Sequence, residues 1–346
     1  MASDQRGLRC GLIGYGAWGR HHAEAIAKGP RARLAAIACR TEATAQAARR
    51  DFPDVPIHLD YRELLARLDV DAVDIVLPND LHAEVGVAAL ERDMDVLLEK
   101  PMARTAEECD ALMAAAARSG RILSIGHELR LSAQWGRIKA MIDAGEIGEP
   151  LYMLFELFRF PYRRGSGGWR YERERVGSWI LEEPVHAFDF ALWFFERWGD
   201  PTSVVALGNG KTVAEGMCDN FTAMVRFPGG RYAVISQTLA AFQYHQVMEV
   251  VGSEGAIRGW WSGTLDRTLA PTFALTVKRR GHSEPETIPI ERSGEVFELH
   301  DQLARTVMAF ETRRPLVTGV EARKRVIVCV EAERSLREGR EIPLRF

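Results

Sequence analysis

The chain is poor in cysteine. Five residues in 346 (Cys10, Cys39, Cys109, Cys218 and Cys329) are odd in number and far apart, so neither a disulfide framework nor a zinc site is indicated. Such usage fits a reduced compartment, and a cytoplasmic protein is expected. Long apolar runs are missing too. No stretch approaches the ~20 residues of a membrane span, and MASDQRG at the start has no apolar signal core. Neither sign of charge dominates. With 45 Lys and Arg against 48 Asp and Glu, the net charge is -3, so no nucleic acid or other polyanion is implied as a partner. His21, His22, His58, His245, His282 and His300 show no metal-ligand spacing, and no metal is expected.

What remains is ordinary globular composition, 47% hydrophobic and 27% charged, at a length suited to two domains. From residue 8 to 126, short apolar runs (LRCGLIG, RLAAIAC, DAVDIVL, DVLLEK, RILSIG) alternate with helical patterns. Continuous runs in place of period-2 alternation indicate parallel strands covered on both faces. One helix is announced by a capping box, Thr105 with Glu108. After residue 150 the texture becomes β-rich, in LYMLFELFRF, FTAMVRF, RYAVISQTLA, QVMEVVG and GAIRGWW. Pro228-Gly229-Gly230 signals a hairpin, and helices are expected near 183–198, 299–313 and 320–338.

The first strand ends in Gly14-Tyr15-Gly16-Ala17-Trp18-Gly19, a G-x-G-x-x-G turn. Gly14 permits the turn, Gly16 lets a pyrophosphate approach the backbone, and Gly19 lets the next helix pack on the strand. The helix N-terminus then faces the phosphates. A dinucleotide, NAD(P), is the expected cofactor. An acid about 20 residues further on would grip the adenosine ribose. Cys39-Arg40-Thr41 stands there instead. Arg40 can stack on adenine and pair with a 2′-phosphate, which tilts the expectation to NADP, with Glu42 as a substitute acid. Ligands in this fold meet the carboxyl ends of strands. Pro78, Asn79 and His82 follow one strand end, and Glu99, Lys100 and Pro101 follow the next. Asn79 or Asp80 can equally cap the helix there.

A hydride leaves a carbinol carbon only if the hydroxyl proton is also removed. Histidine suits the base at neutral pH, and a lysine can polarise the hydroxyl. The candidate histidine is His186, within Glu182-Glu183-Pro184-Val185-His186-Ala187-Phe188-Asp189. If this stretch is helical, Glu182, His186 and Asp189 share a face, with Pro184 in the first turn.

GLIGYGAWGRHH, DAVDIVLPNDLHAEVGVAALERDMDVLLEKP, GEIGEPLYM, EEPVHAFDFALWF and the C-terminal ETRRPLVTGVEARKRVIVCVEAERSLREGREIPL together resemble the Gfo/Idh/MocA family of NAD(P)-dependent oxidoreductases. The match spans nearly the whole chain. The fold implied is α/β: an N-terminal Rossmann domain, residues 1–126, with a doubly wound parallel sheet. Residues 127–346 form a C-terminal α+β domain with a large open, mostly antiparallel sheet. In the family that sheet face serves subunit contacts, so the resemblance implies a homodimer or homotetramer. It also admits a cis Lys100-Pro101 bond. The family pattern sets an aspartate four positions before the histidine and adds the lysine of the Glu-Lys-Pro motif. Carried over, the catalytic trio is Lys100, Glu182 and His186. Glu182 departs from the usual aspartate, and its extra methylene moves the carboxylate by about an ångström, enough to matter for positioning. Glu183 remains open as the working carboxylate.

The stretch from Arg159 to Tyr171 is rich in arginine and glycine. Trp169 and Tyr171 offer faces for a sugar ring, and Arg170 can bind cofactor or substrate. His127, Arg130, Tyr162, Glu183 and Asp189 are further substrate-side candidates. The arginines admit an acidic or sulfonated sugar. The leading expectation is a dehydrogenase acting on a secondary hydroxyl of a sugar, polyol or sugar derivative. A second is a glycoside hydrolase that oxidises, eliminates, adds water and reduces back, with Tyr162, Tyr171 or Glu183 as an extra base. A third is a non-catalytic dinucleotide sensor, which intact Lys100 and His186 argue against.

Overall fold

A computed structural model describes residues 7–210, 216–241 and 243–346. The first six residues, read above as lacking a signal core, lie outside them. The chain forms two compact units.

The first unit runs to His127 and includes 164–169 and 299–323. The sequence division at residue 126 treats each domain as one continuous stretch, whereas this unit recruits two later segments. Its strands are β1 (Leu8–Ile13), β2 (Ala32–Ala38), β3 (Ile57–His58), β4 (Ala72–Ile75), β5 (Asp95–Glu99) and β6 (Leu123–Gly126). They pair in parallel in the order β3-β2-β1-β4-β5-β6. Between them run α1 (Ala17–Lys28), α2 (Glu42–Asp51), α3 (Tyr61–Leu65), α4 (His82–Leu90) and α5 (Ala106–Ser119). β4 and β5 are buried along their whole lengths, and Asp74, Asp95 and Glu99 are buried with their apolar neighbours. Leu12, Ile26, Ile37 and Leu97 share one core cluster with Leu299, Leu303 and Phe310 from the returning segment. Each such aliphatic side chain contributes roughly 1.5–3 kcal/mol by burial.

The second unit carries α6 (Trp135–Asp143), β7 (Pro150–Phe158), α7 (Arg173–Val176), α8 (Trp179–Glu182), α9 (Val185–Phe194), β8 (Ser203–Asn209), β9 (Asn220–Arg226), β10 (Tyr232–Thr238), β11 (Tyr244–Gly252), β12 (Gly255–Gly263), β13 (Thr272–Arg279) and β14 (Glu286–Thr287). Helix α10 (Glu295–Thr312) and helix α11 (Gly319–Glu338) follow, then β15 (Ile342–Pro343). The nine strands form a mixed, mostly antiparallel sheet, order β14-β13-β12-β11-β7-β10-β9-β8-β15. Among the described residues, its one parallel pair is β7 with β10. Pro228–Gly230 links β9 to β10, as the hairpin signal anticipates. Strand residues alternate: Met153, Phe155 and Leu157 of β7 are buried, while Tyr152, Leu154 and Phe158 are half-covered. Helix α9 packs on β7 and β10, where Trp135, Phe155 and Phe190 meet with ring centroids 5.9–6.5 Å apart.

One local expectation is corrected. The helix expected near 183–198 is there as α9 (Val185–Phe194), but it does not reach back to Glu182. Ser178 caps α8 by accepting Leu181 N–H, α8 ends at Glu182, and α9 begins anew after Pro184. Proline has no N–H to continue the first helix but suits the start of the second. Glu182 therefore does not share a helix with His186 and Asp189.

Candidate active site

In the first unit, Gly14 adopts φ +107°, and a Cβ there would stand 2.1 Å from Val76 O. A Cβ on Gly19 would stand 2.0 Å from Gly14 O, so α1 seats directly on the turn. The start of α1 differs from those of α2, α3 and α5. Thr41, Asp60 and Thr105 cap α2, α3 and α5 with side-chain oxygens. Gly16 offers α1 no side-chain cap, and its first turn holds no acid. First-turn N–H groups so presented fit an anionic pyrophosphate. Ala17 is exposed beside them, whereas Tyr15 points into the core and donates to Asp51 Oδ2 at 2.8 Å. At the ribose position Cys39 is buried, Arg40 is exposed and Thr41 serves as the cap.

The rim beyond β4 and β5 is tightly braced. Pro78 is half-buried and Asn79 buried at the turn before α4. His82 is fully buried, with Nδ1 2.7 Å from Pro101 O and Nε2 2.9 Å from Leu77 O. It ties the strand-4 loop to the Lys100-Pro101 turn, whose peptide bond is cis. Glu99, the last residue of β5, accepts Lys100 N–H on Oε2 at 3.1 Å and the Trp18 indole N–H on Oε1 at 3.3 Å. His22 of α1 lies 2.7 Å from Asp74 Oδ2 and 3.3 Å from Glu99 Oε1. His127 is buried just past β6. Trp169 is buried as well.

In the second unit, His186 sits in the first turn of α9, 5% exposed, with Nε2 3.7 Å from Glu128 Oε1. Glu182 accepts Arg170 Nε–H at 2.5 Å, and this carboxylate outweighs burial to raise the arginine's pKa. Glu183 faces Arg159 at 3.3 Å and accepts the Tyr244 hydroxyl at 3.0 Å. Tyr162 is buried under the Arg159 guanidinium, 4.2 Å from its ring centroid, and burial pushes its phenol up. Tyr171 donates to Tyr162 O. Asp189 is gripped twice: Arg130 binds it through two N–H groups at 2.6 and 2.8 Å, and Arg325 Nε–H at 2.7 Å. Among the described residues, no group of three or more His, Cys, Asp or Glu is arranged to hold a metal ion. No helix there is long and apolar enough to cross a membrane.

Residues 8–127 match the model of an oxidoreductase family with an NAD-binding Rossmann fold, and residues 135–258 match the GFO/IDH/MocA C-terminal domain. The Escherichia coli protein YdgJ, described as an uncharacterized oxidoreductase, is 32% identical over 253 residues, 72% of this chain and 70% of that protein. The chain belongs to the Gfo/Idh/MocA family. It is an NAD(P)-dependent oxidoreductase of that family, with the family's two folds. It is also 26% identical over 346 residues to the scyllo-inositol 2-dehydrogenase (NAD(+)) of Bacillus subtilis, covering 97% of this chain and 96% of that one. Among solved structures, a levoglucosan dehydrogenase complexed with NADH and L-sorbose superposes with a TM-score of 0.84 at 22% identity, over 97% of this chain and 98% of that one.

The Gfo/Idh/MocA resemblance directed attention to Lys100, Glu182 and His186 but passed over three neighbours. Glu128 is the carboxylate near His186, Asp74 holds His22, and Arg325 completes the grip on Asp189. Asp74 left a trace in the sequence, as the lone acid inside the apolar run DAVDIVL. Glu128 and Arg325 left none, because their partners lie far off in sequence.

Proposed function

We propose that this chain is a dehydrogenase for a secondary hydroxyl of a sugar, polyol or sugar derivative, with Lys100 and His186 handling the hydroxyl proton. The observation that carries the reading is Lys100: its N–H is bound by Glu99 at the carboxyl end of β5, the edge where ligands of this fold are held. Its ammonium polarises the hydroxyl and steadies the developing alkoxide. His186 accepts the proton, and the Glu128 carboxylate nearby favours the imidazolium that results. Glu182 orients Arg170 at the substrate side. Gly14, Gly16, Ala17, Trp18 and Gly19 form the phosphate turn, and Pro78, Asn79 and His82 shape the rim beside it. NAD(P) held at this turn would supply the hydride acceptor. Arg40, exposed where an acid would select NAD, supports a preference for NADP, although the relatives described above name NAD. The half-covered apolar face of the large sheet, with Tyr152, Leu154, Phe158 and Trp260, supports assembly as a cytoplasmic homodimer or homotetramer.

The test is absorbance of reduced nicotinamide with NAD or NADP across polyols, aldoses, uronic acids, sulfonated sugars and glycosides. Net reduction with one class of free sugar or polyol is expected. Glycoside cleavage without net reduction would replace this reading with redox-assisted hydrolysis.

A further inference from the structure

One cluster of charges in the first unit has no part in the proton transfer proposed above. His22 from α1, Asp74 from β4 and Glu99 from β5 are 0%, 3% and 5% exposed. Two carboxylates buried side by side repel each other and are costly without a cation. Here the His22 imidazole lies against both. Its Nδ1–H donates to Asp74 Oδ2, and its Nε2 faces Glu99 Oε1 as an ion contact. Burial alone would push the imidazolium pKa down, but Asp74 and then Glu99 outweigh it and raise it to about 10. The two carboxylates thus favour the protonated ring.

Stability does not require such a cluster. Apolar residues of similar volume replace buried ion groups at little or no cost. Its position suggests another role. Glu99 is joined at once to three parts: His22, the Trp18 indole of the phosphate turn, and the backbone N–H of Lys100. A carboxylate free to turn would let Lys100 drift, and displacement by about an ångström can cost on the order of a hundredfold in rate. We propose that His22 is a positioning residue for the reaction: backed by Asp74, it fixes the Glu99 carboxylate, which holds the phosphate turn and the Lys100 backbone in one register. The inference rests on the reading of Lys100 as the lysine that polarises the substrate.

The experiment compares His22→Gln and Asp74→Asn with the wild type and with Lys100→Ala, using any substrate found by the absorbance screen. It measures kcat and KM separately, NAD(P) affinity by calorimetry, melting temperature, and the ¹⁵N resonances of the His22 ring. His22→Gln is expected to lower kcat by roughly ten- to a hundredfold, with Asp74→Asn acting in the same direction more weakly. KM and cofactor affinity should move by less than about threefold, because the phosphate turn keeps its own backbone geometry. The wild-type ring should be doubly protonated at pH 8. A neutral ring at pH 8 overturns the proposal. So does a folded His22→Gln protein whose melting temperature falls while kcat stays at the wild-type value. Should neither variant fold, the wild-type ring decides: NAD(P) binding shifts its resonances if Glu99 couples it to the Trp18 turn, and unmoved resonances overturn the coupling. If Lys100→Ala is fully active, the reading of Lys100 itself fails. If Lys100→Ala is inactive and His22→Gln is not impaired, only the positioning role fails.

Discussion

Each unit buries a charge cluster, and the two are built on different cations. In the first, the His22 imidazole lies against two carboxylates, Asp74 and Glu99. In the second, two guanidinium groups, Arg130 and Arg325, bind one carboxylate, Asp189. Guanidinium stays charged at every working pH, whereas imidazolium does not. The arginine cluster is thus a permanent clamp, joining the segment after β6 and helix α11 to α9. The histidine cluster carries a charge that can be withdrawn, and it lies next to the residues that the proposed chemistry uses.

The largest effect is expected at Asp189. Asp189→Ala takes a carboxylate away from two buried guanidinium groups and should cost about 3–5 kcal/mol of stability. Urea unfolding measures this; a loss under about 1 kcal/mol would mean that water reaches the pair. Lys100→Ala comes next. It should lower kcat by at least on the order of a hundredfold while calorimetry shows nearly unchanged cofactor affinity, and full activity would remove Lys100 from the mechanism. The pH dependence of stability sharpens the contrast between the clusters. His22 is raised from 6.5 to about 10 in the folded chain. A raised histidine stabilises fully below its unfolded pKa and loses that contribution as pH climbs through the folded one. The stability gap between the wild type and His22→Gln should therefore be widest below pH 6.5 and close toward pH 10. A gap that is flat across this window would mean the ring is not protonated on folding. The smallest effect is expected at Arg40. Arg40→Ala should weaken NADP about tenfold and NAD much less; equal losses would reduce Arg40 to stacking on adenine.

Much of the first sheet was legible because five of its strands sit in mostly apolar runs, whereas β3, only Ile57–His58, is too short to show one. The glycine turn was equally plain, since Gly14 and Gly19 leave no room for a Cβ. Legibility ended where contacts span long separations. Nothing local tells that 299–323 belongs with the first unit, or that Arg325 reaches Asp189. The break between α8 and α9 was half-legible. Pro184 marks the start of the helix that carries His186, but no local signal tells that Glu182 closes a separate turn capped by Ser178.

The parallel pairing of β7 with β10 sets a timetable for synthesis. β7 lies at the centre of the nine-stranded sheet, yet both strands that flank it, β10 and β11, are made long after it. Tyr152 must wait for Tyr232. Until then an apolar strand stands in the nascent chain with both edges open, the condition under which chains associate wrongly. Pairings across such separations form slowly. The ribosome therefore delivers the keystone of this sheet first and its supports last, and the yield of folded protein depends on how well that strand is sheltered in the interval.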